Sequence, residues 1–98
     1  MGVGMNLYRD KIYINGVEIP AKVYVHSMDT KAGLGGGISE VSLTITIAPS
    51  QYRRLPQPFN ELLWRDARFD RRGIVIPIIA LGRVDHYEIT AVSPMTPG

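Results

Sequence analysis

The chain contains no cysteine, so no disulfide framework, thiolate nucleophile or cysteine metal site is open to it. It also lacks a long apolar run. The longest, IVIPIIAL at 74–81, is far short of the roughly 20 residues that carry a helix across a bilayer. The opening MGVGMNLYRD has no basic stretch followed by an apolar core of signal length, which gives the expectation of a protein made in the cytosol with no membrane partner. Asn6 stands where a Ser or Thr would favour myristoylation of Gly2. Charge of one sign is scarce as well: eleven Lys and Arg against nine Asp and Glu leave +2, too little by itself to imply a nucleic-acid partner. His26 and His86 are the only imidazoles. A zinc site needs about four ligands, and only Asp29, Asp85 and Glu88 lie near these two in sequence. Neither a metal nor a cofactor is expected.

What is present is strand. At 98 residues, 45% of them apolar and 20% charged, the composition suits one globular domain over 1–98 with a modest core. KIYI at 11–14 and VEI at 17–19 flank Asn15-Gly16, a dipeptide that tolerates positive φ and so suits a two-residue hairpin turn. Pro20 removes a donor, and a further strand is expected to resume at Ala21, with Val23 and Val25 on one face and Lys22, Tyr24 and His26 on the other. SEVSLTITIAP alternates strictly, turning Val41, Leu43, Ile45 and Ile47 one way and Ser42, Thr44 and Thr46 the other. Prolines 56 and 58 interrupt the chain. Asn60 then caps an expected short helix over 61–69, with Phe59 stapled on Trp64. Residues 74–92 read as a closing hairpin about Leu81-Gly82-Arg83, in which Pro77 puts its strand at an edge or a bulge. Neither face of the last strand is cleanly apolar. The expected fold is mainly β, a small antiparallel barrel or sandwich with one short helix, a mobile Gly-rich loop at 29–38 and flexible termini at 1–10 and 94–98. No internal repeat is visible.

Three clusters invite a chemical reading. KAGLGGGIS at 31–39 brings glycine backbone that could approach a phosphate, yet no Gly-Lys-Ser/Thr follows, and the third glycine of a dinucleotide fingerprint falls on Ile38 or Glu40. A loop between strands, or one that orders against a partner or another copy, accounts for it better. DHYE at 85–88 has catalytic residue types, but strand alternation sends Asp85 and Tyr87 to one side and His86 and Glu88 to the other. No nucleophile or oxyanion feature accompanies them, so no enzyme is expected. Six of the eight arginines, at 53, 54, 65, 68, 71 and 72, fall within twenty residues. They could track a nucleic-acid backbone, with Trp64 and Phe69 stacking on bases. Their interleaved acids favour ion pairing between subunits or along a solvated face.

Taken with the order of elements, YINGVEIPAKVYV, DTKAGLGGGIS, APSQYRRLP and RFDRRGIVIPIIALGRVDHYEITAVSP resemble the small head-to-tail joining proteins of long-tailed bacteriophages, the stopper or connector group, over about residues 11–94. The resemblance implies a β-barrel of about a hundred residues that acts in the virion as a ring of twelve or six copies. Its partners would be other copies, the portal or adaptor ring, a tail terminator or tail-tube protein, and packaged DNA. The loop residues Lys31, Gly33, Leu34, Gly35, Gly36 and Gly37, with Arg53 and Arg54, would form an assembly interface or channel gate. Glycine would serve a gate by admitting several backbone conformations at little steric cost. A tail terminator or a capsid decoration protein would suit the same features. From another class, a small barrel that binds single-stranded nucleic acid would use the arginines and exposed tyrosines.

Overall fold

The computed structural model describes residues 7–30 and 38–93. The glycine-rich stretch, including Lys31, Gly33, Leu34, Gly35, Gly36 and Gly37, lies outside the described residues, as do 1–6 and 94–98. Six strands, β1 (Asp10–Ile14), β2 (Val17–Thr30), β3 (Ile38–Ile47), β4 (Glu61–Trp64), β5 (Ala67–Ala80) and β6 (Arg83–Val92), close into an antiparallel barrel in the order β1-β2-β3-β6-β5-β4. The barrel, rather than the sandwich, is thus the form taken. Among the described residues the one helix, α1 (Pro49–Tyr52), is a single turn directly after β3. Paired strand enters the expected loop from both sides, with Thr30 opposite Ile38 and Asp29 opposite Ser39.

The alternation in β3 does what its pattern requires: Leu43, Ile45 and Ile47 are fully buried. Pro20 does not break the chain. β2 runs through it, because Pro20 stands opposite Lys11 and the barrel accommodates its missing donor. In β6 the inward face is Ile89 and Ala91, fully buried, with Tyr87 packed against the core and stacked at 3.9 Å on Tyr52 from α1. The segment after α1 adds Leu55 and Phe59. No polar side chain is buried among the described residues, so the interior is wholly apolar.

Residues 61–69 form a hairpin and not a helix. Leu62 points into the core beside Phe69, Leu63 points outward, and Arg65 and Asp66 make a two-residue turn with φ of 51° and 62°. Leu62, Leu63 and Trp64 mimic a broad helical face because three consecutive apolar residues satisfy either period. Closure of the sheet decides between them. The Phe59–Trp64 staple is absent with the helix: Trp64 lies against Phe69, 6.2 Å between ring centres, and Arg71 covers Phe59.

The hairpin exposes a repeat that the sequence hides. β1, β2 and β3 match β4, β5 and β6 as short strand, two-residue turn, 14-residue strand and 10-residue strand. The pair Ile12–Ile19 recurs fifty residues later as Leu62–Phe69, and the halves meet symmetrically at Tyr13 opposite Leu63 and Ile45 opposite Ile89. Side-chain types differ at nearly every matched position, so only the topology carries the two-fold.

Two changes test this architecture. Ile45→Ala, at the centre of the seam between the halves, should cost about 2–5 kcal/mol and lower the thermal midpoint by well over 8 °C. Asp66→Gly distinguishes hairpin from helix by its sign. In a turn at positive φ it should stabilise the protein by about 0.5–1 kcal/mol, whereas inside a helix it would destabilise.

Candidate assembly surface

The register determines where the long strands end. β6 faces β3 only from Tyr87 to Val92, so Arg83 to His86 continue past the barrel with β5 alone. At the opposite end β3 continues past Val41, which exchanges hydrogen bonds with Ser93, to Ile38 paired with β2. Two hairpin arms therefore leave opposite ends of the barrel. The chain extends 52 Å along its longest axis and 26 Å across, with a radius of gyration of 15.3 Å, against about 13 Å for a compact chain of this size.

The β5–β6 arm begins at a bulge. Between the pairs Arg72–Thr90 and Ile76–Glu88 the β5 strand carries two more residues than β6, and Gly73 supplies the positive φ of 78° within it. A second shift leaves Asp85 unpaired opposite the step from Ile78 to Ile79. From Gly73 to Gly82 the arm has no charged residue. Ile74, Ile76 and Ile79 are exposed, and Leu81 at the tip is 98% exposed with φ of 53°. All three two-residue turns among the described residues use positive φ, but the other two, Asn15-Gly16 and Arg65-Asp66, are built with polar residues or glycine. Leu81 gains nothing from the fold: its backbone is in a region that costs an ordinary L-residue about 1–2 kcal/mol, and its side chain touches water. Burying such a side chain releases about 1.5–3 kcal/mol, so this tip and its flanking isoleucines are the most favourable contact surface among the described residues. Large apolar side chains left in water on both faces of one arm are the kind of surface that marks an interaction site.

The residues suggested by the sequence distribute differently. Arg53 and Arg54 follow α1 on the surface, where Arg54 donates from Nη1 to Gln51 Oε1 at 2.7 Å. Arg65 lies 4.7 Å from the Trp64 ring centre and 4.0 Å from Asp10, and Arg68 pairs with Glu61 at 3.5 Å. Arg65 and Arg68 thus have carboxylate partners in solvent-facing pairs worth under about 1 kcal/mol each, while the partner of Arg54 is a neutral amide.

The DHYE quartet is not split as simple alternation requires. The bulge at Asp85 brings its Oδ2 to 2.8 Å from His86 Nδ1, while Glu88 Oε2 lies 3.6 Å from His86 Nε2. These three border an open cleft with Leu7, Tyr8, Lys22, Tyr24 and Thr46. His26 instead contacts Thr44 Oγ1 at 3.2 Å. Among the described residues no group of three or more His, Asp or Glu side chains is placed to hold a metal ion. The cleft orients an imidazole between two carboxylates.

Sequence reasoning found the strand pair of the arm and its turn but not its exposure. The available signal was leucine at the turn itself, where a solvated hairpin takes Asn, Asp or Gly. Comparison with protein-family models, with curated proteins and with solved structures finds no match to this chain.

Leu81→Asn separates folding from contact, because asparagine tolerates the left-handed region better than leucine. The variant should melt at or above the temperature of the parent protein while binding less of a dye that reports exposed apolar surface. A drop in midpoint would mean that Leu81 supports the fold.

Proposed function

We propose that the chain is a non-enzymatic structural subunit of a virion that assembles with copies of itself as a ring at the head–tail junction of a long-tailed bacteriophage. There it would complete and close the portal channel and dock the tail, with the portal or adaptor ring on one side and the tail terminator or tail tube on the other. The observation that carries the reading is the apolar stretch from Gly73 to Gly82, free of charge and tipped by Leu81, which is costly to the monomer and useful only in contact. A closed barrel with a dry interior supports it further, since such a body is a rigid carrier for projecting arms. Arms at opposite ends suit a subunit that must touch neighbours on more than one side. The head–tail setting itself comes from the resemblance of the sequence; a tail terminator or decoration protein would use the same arm.

A single-stranded nucleic-acid-binding barrel is the competing reading, favoured by the half-exposed Tyr24 with Lys22 Nζ 5.0 Å from its ring centre. Salt separates the two. Apolar assembly survives high ionic strength, whereas phosphate binding weakens steeply. Light scattering of the purified chain, alone and with short single-stranded DNA at low and high salt, should give a multiple of the 10.9 kDa monomer mass that persists at high salt and ignores DNA. A monomer at every concentration that binds DNA only at low salt would replace this reading with the competing one.

A further inference from the structure

Among the described residues neither outer edge of the β5–β6 arm is paired with another strand. The inner edge of each strand is spent on the other, β4 pairs with β5 only from Ala67 to Asp70, and β3 stops opposite Tyr87. Among the described residues no backbone hydrogen bond reaches the outer edge of Gly73 to Ala80 or of Arg83 to His86. An exposed, charge-free edge strand is a template for adding another strand. Pro77 removes one donor from β5 and leaves its carbonyls and the remaining amides.

We infer that the occupant of these edges is a second copy of this chain, and that the arms of neighbouring copies add side by side, the β6 edge of one against the β5 edge of the next. This rests on the self-assembly proposed above and specifies its contact. The argument is one of matching. A two-fold contact, β6 against β6, would satisfy one edge and leave the apolar β5 edge of both copies bare. A head-to-tail contact satisfies both edges of every copy except at the ends of a row, and in a ring, where the rotation between copies closes, it satisfies them all. Charge agrees: the β5 edge from Gly73 to Ala80 carries none, and the β6 edge carries Arg83 and Asp85, which cancel, so no like charges meet. The same contact places Ile79 and Leu81 of each arm beside those of its neighbours and removes them from water.

The absence of cysteine makes the test clean. Arg83→Cys and Val84→Cys are each mixed with Ile76→Cys or Ile79→Cys, oxidised, and run without reductant; a disulfide forms only where Cβ atoms approach to about 3.5–4.5 Å. The expected result is a doubling of chain mass in at least one mixture and its loss when Leu81→Asn is added to both chains. Cross-linking of the Arg83→Cys or Val84→Cys protein with itself would overturn the head-to-tail contact in favour of the two-fold one. Oligomers by light scattering with no cross-link in any mixture would overturn the contact and leave self-assembly standing. A monomer by light scattering would overturn both. Variants at the exposed Arg83 serve if those at Val84 fail to fold.

Discussion

The ladder between β3 and β6 is the contact on which the remainder of this structure depends. It joins two three-stranded units, each of which has one apolar face that it cannot bury alone, and it sets Ile45 directly opposite Ile89 with both excluded from water. The other seam, between β1 and β4, holds a single registered pair, Tyr13 opposite Leu63. Closure is therefore strong on one side and slight on the other. The six residues of β3 that face β6 also determine where the barrel stops and where the arms begin, so one register decides both core and surface.

Within that frame the arm ending in Leu81 conflicts with the local rules that the other elements obey. Its turn places leucine where glycine or asparagine is favoured, its β5 strand is apolar on residues that face solvent, and no charge guards the β5 edge from Gly73 to Ala80. Sequences consistent across every level except one tend to be inconsistent at the place where they work. The conflict disappears if the arm is buried against copies of the same chain. The cleft at His86 presents no comparable conflict, since its polar groups face one another and solvent at little cost.

Much of the fold could be read directly. The alternation of β3, the Asn15-Gly16 turn and the edge position of Pro77 each follow from a local physical rule, and each is found. The misreading of 61–69 has an equally physical origin. Arg65-Asp66 is an uncommon turn dipeptide, and a run of three apolar residues carries no period of its own. The arm was legible as a hairpin but not as a surface, because exposure depends on how far the neighbouring strand β3 extends.

By itself the sequence determined the strand-forming alternation, the turns with positive φ at glycine, the absence of thiol chemistry and the want of a charge excess. These depend on neighbours within a few residues, where side-chain type and backbone preference act directly. Tertiary structure alone decided that Leu62 and Phe69 face each other across a hairpin, that two unlike half-sequences share one topology, and that Ile74, Ile79 and Leu81 remain in water. The reason is closure. Which face of a strand is inside, and which strand ends are left over, is determined by pairing between residues as distant as Ser42 and Val92, and no local window of sequence contains both.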